Sequence, residues 1–332
     1  MTVTFAMIGA GRIAGAHANS FTQNDDAALL WVADPIQEAA EHIAARVGAK
    51  ATGDVQAAIK DPAVDAVLIC APTPLHVELI KDAVAAGKAV LCEKPVDLDL
   101  ALASQLQKTL SPDARVMMGF NRRFDPSFAE IHARTEAGEL GKLEQVLVTS
   151  RDPGLAPKEY LASSGGIFKD MTIHDFDMVR FFLPDIVEVE AMGQNVIDPV
   201  VAELSDFDGV MVTLRSASGA IAMIVNSRRA TFGYDQRLEV FGEKGMLQAH
   251  NHLPTSVRSY GADHCERTAS YLPFFLERYA QAYKQELQAF LRALADDSAF
   301  SPSLTDGVEA LRLAVAAEQA ARTGTRVSVE SI

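Results

Sequence analysis

The sequence predicts an α/β protein of two domains, the first built on a parallel sheet. Three observations carry that expectation. Short apolar runs alternate with helix-like segments through the first 120 residues. A glycine-rich turn joins the first run to the first helix. After residue 185, strand-like runs follow one another without helices between them. Residues 3–8 form the first strand candidate, followed by glycines and a helix over 13–21. Residues 28–33 make a second strand ending at Asp34, with a helix over 36–47. Residues 66–71 make a third, followed by a helix over 75–86; residues 89–92 lead into Glu93-Lys94-Pro95, and 116–120 repeat the pattern. Strands that alternate with helices build a parallel sheet covered on both faces.

The texture changes after residue 120, which divides the chain into domains 1–120 and 121–332. A helix is expected over 126–137, a strand over 143–150, a Pro/Gly-rich loop over 151–166 and a helix over 169–182. Strand-like runs then come at 186–194, 209–214, 220–227 and 237–242, with turn pairs such as Ser218-Gly219 and Lys244-Gly245 between several of them. Strands in direct succession suggest an antiparallel or mixed sheet. Helices over 274–294 and 307–323 close the chain.

Composition narrows the function. The chain has 332 residues, 48% of them hydrophobic, and a net charge of −14. That much negative charge repels phosphate backbones and anionic lipid, so nucleic acid and membrane surfaces are poor partners. Phosphate can still be bound by backbone amides at a helix terminus. Three cysteines, an N-terminus without a leader pattern and no long apolar run point to a reducing cytoplasm. No His/Cys cluster has metal-ligand spacing, so no metal is expected.

Gly9-Ala10-Gly11-Arg12-Ile13-Ala14 follows a strand and opens a helix, and Asp34 ends the next strand 23 residues after Gly11. This is a G-x-G-x-x-A form of the dinucleotide fingerprint. The first glycine permits the tight turn and the second lets the backbone approach a pyrophosphate. The small sixth residue permits close helix–strand packing, and the acid accepts hydrogen bonds from a ribose hydroxyl pair. A carboxylate there repels the 2′-phosphate of NADP, so the expected cofactor is NAD. His17, one turn into the helix, reads as a packing residue.

Lys94 lies past a short strand at the carboxyl edge of the sheet, where open α/β sheets bind ligands. It suits a solvated turn equally well. With the following proline restricting its backbone, it could also donate to a substrate oxygen and stabilise a developing alkoxide. Thr73 and His76 lie at the same edge and could line the cofactor. Farther on, Asp170, His174 and Asp177 fall at i, i+4 and i+7 of the expected 169–182 helix, on one face. A carboxylate one turn before a histidine orients the ring and stabilises its cation, as a general base requires. In alcohol oxidation His174 would take the hydroxyl proton as hydride leaves the carbon. A solvated polar face, or a histidine in a buried network, is the other use of such a stripe.

Gly-x-Gly-Arg-Ile, Glu93-Lys94-Pro95 and Asp170-Met-Thr-Ile-His174-Asp-Phe-Asp177 together resemble the Gfo/Idh/MocA oxidoreductases, nearest in pattern to the bacterial inositol dehydrogenases among them. Residues 119–126, 150–153 and 275–279 look similar as well, so the likeness spans nearly the whole chain. It implies a Rossmann domain followed by an α/β domain with an open, largely antiparallel sheet that packs between subunits of dimers or tetramers. It implies a catalytic triad at Lys94, Asp170 and His174, and cofactor contacts that extend to Glu93. Substrate contacts would fall on Arg122, Asp152, Asp177 and Tyr234. The implied activity is NAD-dependent oxidation of a secondary hydroxyl on a cyclic polyol, with an inositol as the leading substrate. This chain has Ser150-Arg151-Asp152 where some inositol dehydrogenases carry His-Arg-Asn, and Asn121 where they carry an apolar residue. Those departures leave open a sugar or another inositol isomer. A cofactor-binding regulator without turnover is the alternative from another class.

Overall fold

The computed structural model describes residues 2–332, and the chain divides into two compact units. The first comprises residues up to Phe124 together with Ala280–Leu311, and the second Asp125–Tyr279 together with Arg312–Ile332. The first unit holds a six-stranded parallel sheet: β1 (Val3–Ile8), β2 (Ala27–Ala33), β3 (Lys50–Thr52), β4 (Ala66–Ile69), β5 (Ala89–Glu93) and β6 (Val116–Gly119). Their spatial order is β3-β2-β1-β4-β5-β6. The order reverses beside β1, which opens a crevice outside the carboxyl ends of the strands. β4 and β5 are buried at every position because helices cover both faces, and their sequences are accordingly continuous apolar runs. β3 is too short and polar to show a strand pattern, so it was not expected from the sequence.

The first unit's core holds residues that a boundary at 120 would exclude. Leu287, Phe290 and Leu291, on the helix Ala280–Ala295, pack with Phe5, Met7, Leu68, Leu91 and Met117. Phe290 is fully buried, with its ring 5.5 Å from Phe5. The single helix expected over 274–294 is two, Phe275–Arg278 and Ala280–Ala295. The closing helix runs Leu304–Thr323 and is shared between the units.

The second unit holds a seven-stranded sheet of β7 (Leu143–Arg151), β8 (Ile186–Gln194), β9 (Gly209–Ser216), β10 (Ile221–Ser227), β11 (Asp235–Gly242), β12 (Gly245–Ala249) and the two-residue β15 (Val327–Ser328). A separate hairpin pairs β13 (Ser259–Gly261) with β14 (His264–Arg267). The large sheet has the order β12-β11-β7-β10-β9-β8-β15 and is antiparallel except where β10 runs parallel to β7. β9 alternates buried and exposed residues over most of its length, the mark of a sheet with one covered and one open face. Met192, Met211, Ile221, Met223, Phe241 and Met246 are all exposed. The pairing register puts them on one face, since Met192 opposes Met211 and Phe241 opposes Met246. Among the described residues, no helix is long and apolar enough to cross a membrane.

Replacing Phe290 with Ala should destabilise the first unit by about 3–5 kcal/mol, the usual cost of emptying a buried aromatic site. The sole tryptophan, Trp31, sits in β2 of the same unit and reports it by fluorescence during denaturant unfolding. A loss below about 1 kcal/mol would put the Ala280–Ala295 helix outside that core.

Candidate active site

Every residue of the first unit singled out from the sequence lies at the carboxyl edge of the parallel sheet or just beyond it. Gly9 follows β1 with φ of +96°, and a Cβ there would lie 2.6 Å from the Cys70 carbonyl carbon and 2.7 Å from the Ala71 nitrogen. Only glycine fits. A Cβ at Gly11, by contrast, would meet nothing within 4 Å. Gly11 begins the helix Arg12–Phe21, whose N-terminus has no side-chain cap and no acidic residue in its first turn. A helix N-terminus without a side-chain cap, beside open space, suits a pyrophosphate. Arg12 is exposed at this end, while Ile13 is half-buried against the core.

Asp34 holds the loop as well as facing it. Its Oδ2 accepts from the Ala10 amide at 2.8 Å and its Oδ1 from the Ile36 amide at 2.8 Å. A carboxylate has about four acceptor positions, so capacity remains for a ribose hydroxyl pair. These features fit NAD on an observation independent of the motif: the loop, the uncapped helix and the acid are already held together by backbone geometry.

His76 lies at the carboxyl edge of the sheet and is buried there. It is 1% exposed, with Nδ1 2.7 Å from the Pro95 carbonyl and Nε2 2.8 Å from the Ala71 carbonyl. It braces the Glu93-Lys94-Pro95 turn against the end of β4. Burial pulls its pKa below the ordinary histidine value, against the two carbonyls, which favour the cation. Glu93 is buried too, and its Oε1 lies 2.7 Å from His17 Nε2. His17 also stacks edge-on against Tyr283 at 5.1 Å, so it packs and pairs at once. Beneath them the fully buried Glu286 carboxyl is pushed well above the usual carboxylate range, by burial first and the charge of Glu93 second. Lys94 is half-buried between Glu93 and Pro95, Thr73 is half-buried past β4, and Arg122 is buried past β6.

In the second unit the residues gather at one end of the sheet. Arg151 ends β7 and pairs in register with Ser227 of β10 and Asp235 of β11. Asp152, Arg228 and Tyr234 therefore lie side by side. The segment carrying Asp170, His174 and Asp177 packs against this end. Its anchor is Asp175, fully buried, which accepts from the Ser150 hydroxyl at 2.6 Å and the Asn226 amide at 2.7 Å. That segment is not one α-helix from Lys169. Phe168–Thr172 form a π-helical turn, and the α-helix runs Ile173–Phe182. Gly165 and Gly166, at φ of +85° and +81°, end the preceding helix. π turns concentrate at functional sites.

Asp170 receives the Tyr160 hydroxyl on Oδ1 at 2.7 Å and lies 3.4 Å from an Arg228 nitrogen through Oδ2. His174 is half-buried and Asp177 is 1% exposed. Tyr234 is buried, with its ring 6.0 Å from both Phe274 and Tyr279. The Ser150 side chain is fully buried on Asp175, and the Arg151 guanidinium pairs with Asp235 at 2.7 Å. Of the departures noted in the sequence, the one at 150 thus acts on the helix behind the site. Sequence reasoning missed Tyr160, Arg228 and the Ser150–Asp175–Asn226 anchor. None belongs to a spaced motif, and long-range contact alone marks them out. Among the described residues, no group of His, Cys, Asp and Glu is arranged to hold a metal.

Comparison with known proteins agrees over both units. Residues 3–120 match the Gfo/Idh/MocA oxidoreductase family with its NAD-binding Rossmann fold, and residues 128–248 match the C-terminal domain of the same family. The chain is 44% identical to an inositol 2-dehydrogenase of Rhizobium meliloti, over 99% of this chain and 100% of the relative. It superposes on the crystal structure of a myo-inositol dehydrogenase from Corynebacterium glutamicum with a TM-score of 0.96 at 48% identity, covering 99% of each chain. A scyllo-inositol dehydrogenase from Lactobacillus casei, solved with NAD(H) and scyllo-inositol, aligns with a TM-score of 0.90 at 27% identity, over 99% of this chain and 100% of that one. Likeness of this extent, in sequence and in fold, makes the chain a member of the Gfo/Idh/MocA oxidoreductases, with the NAD-binding Rossmann domain of that family.

Proposed function

We propose that this chain is an inositol 2-dehydrogenase, oxidising the C2 hydroxyl of myo-inositol to a ketone with NAD. The observation that carries the reading is full-length likeness to inositol dehydrogenases in a chain that carries Lys94, Asp170 and His174. NAD, when bound, supplies the hydride acceptor. The Gly9–Ala14 loop and the uncapped helix behind it hold the pyrophosphate, and Asp34 holds the ribose. His174 takes the hydroxyl proton, Asp170 orients the ring and balances its positive charge, and Lys94 supports the developing alkoxide. Arg122, Asp152, Asp177 and Tyr234 position the ring hydroxyls. A second reading, oxidation of another inositol isomer, is favoured by one observation: the Lactobacillus casei neighbour was solved with scyllo-inositol.

The acidic chain with three free cysteines suits a reducing cytoplasm. Its open sheet face, carrying Met192, Met211, Ile221 and Met223, suits burial against a second copy in a dimer or tetramer.

Absorbance of NADH with myo-inositol, scyllo-inositol and a set of aldoses tests the reading. Turnover is expected on an inositol above the aldoses, and inertness toward every polyol would leave a non-catalytic cofactor binder. His174→Ala should lower kcat by about 10²–10⁴, the usual yield of a general base; near-normal turnover would remove it from the reaction. Asp34→Ala should shift the ratio of kcat/KM values toward NADP, and an unchanged ratio would take Asp34 out of the ribose site. Met223→Glu should dissociate the assembly in sedimentation velocity, whereas an unaltered oligomer would put the subunit contact elsewhere.

A further inference from the structure

We propose that Arg228 is the positioning residue for the Asp170–His174 pair, clamping the π-helical turn on which Asp170 stands. This rests on the reading of His174 as the base. Arg228 is 2% exposed and follows β10, and its backbone amide donates to the Asp208 carbonyl at 2.8 Å. Its guanidinium bridges two carboxylates, Asp170 at 3.4 Å and Asp206 at 3.2 Å. Asp206 in turn accepts from the Ile167 amide at 2.8 Å, immediately before the turn. One buried cation therefore ties the entry of the turn, through Asp206, to Asp170 within it. Tyr160 secures the other oxygen of Asp170 at 2.7 Å. A planar guanidinium can address two carboxylates at once in fixed geometry, which a lysine ammonium on a flexible stem does not.

Electrostatics gives this arrangement a signature that a packing role lacks. Two carboxylates face one guanidinium, so removing Arg228 leaves Asp170, four residues before His174 in the chain, without its cation. The cation of His174 is then favoured, and the acid limb of kcat/KM moves to higher pH. The other charged groups in this part of the unit stay in place. Asp175 remains on Ser150 and Asn226, Asp208 on the Ile197 amide, and Lys169 3.8 Å from Glu318. Asp152 and Asp177 are likewise unaltered.

The test is the pH profile of NADH formation for the wild-type chain, Arg228→Met, Arg228→Lys and Tyr160→Phe. R228M should lose about 10- to 100-fold in kcat, less than removal of the base itself, with KM for NAD unchanged. Its acid limb should rise by about one pH unit. R228K should restore the limb but not the full kcat. Y160F, at a site 40% exposed that tolerates the change, should move the limb in the same direction by less. An R228M enzyme that turns over with its limb unmoved overturns the positioning role and leaves the dehydrogenase reading intact. A wild-type chain inert toward every polyol overturns both. Should R228M fail to fold, R228K decides: a lowered kcat with the limb in place supports the clamp, and an undiminished kcat overturns it.

Discussion

Burying carboxylates is the constraint on which the second unit depends. An unpaired charge taken out of water costs several kcal/mol, so each must bring donors with it. Asp175, Asp177, Asp206, Asp208 and Asp235 are all at most 9% exposed. Asp175 draws Ser150 and Asn226 from two adjacent strands, and Asp235 draws Arg151 and Arg237. Asp125, with Arg278 on one side, also caps the helix Pro126–Glu136 through the Ser127 and Phe128 amides. The pairings of Asp175 fix the helix Ile173–Phe182 against one end of the sheet. His174 and Asp177 therefore stand where they do because Asp175, between them, points inward to its donors.

The first unit is governed by steric contact. The approach of Gly9 to the backbone of Cys70 and Ala71 leaves no room for a side chain, and the loop can turn into the helix only there. Asp34 then ties the loop to the end of β2 through Ala10. His76 performs a similar service for the Glu93-Lys94-Pro95 turn. The crevice is thus shaped by the protein's own hydrogen bonds, an arrangement that lowers the entropy cost of binding a dinucleotide.

Much of this was legible in the sequence, and the limits are instructive. The parallel sheet could be read because buried parallel strands leave continuous apolar runs; β3, three residues long and edge-placed, left none. The glycine loop and Asp34 were legible because their spacing is set by local geometry. The stripe at Asp170, His174 and Asp177 was visible as helical spacing, but its π turn was not, and the residues that contact it, Asp206 and Arg228, come from elsewhere in the chain. The two carbonyl contacts of His76 were not legible, because adjacency to the sheet edge does not tell which way an imidazole faces. The return of Ala280–Ala295 to the first unit was equally hidden: an amphipathic helix shows that it is buried, not against what.

In the proposed reaction hydride passes from a ring carbinol to the nicotinamide while a protein base holds the proton. Myo-inositol carrying deuterium on the carbon at position 2, incubated with the chain and NAD, tests it most directly by the mass of the reduced cofactor. The expected product is NADH one mass unit heavier, with the label on the nicotinamide ring. Unlabelled NADH with deuterium released to water would contradict it.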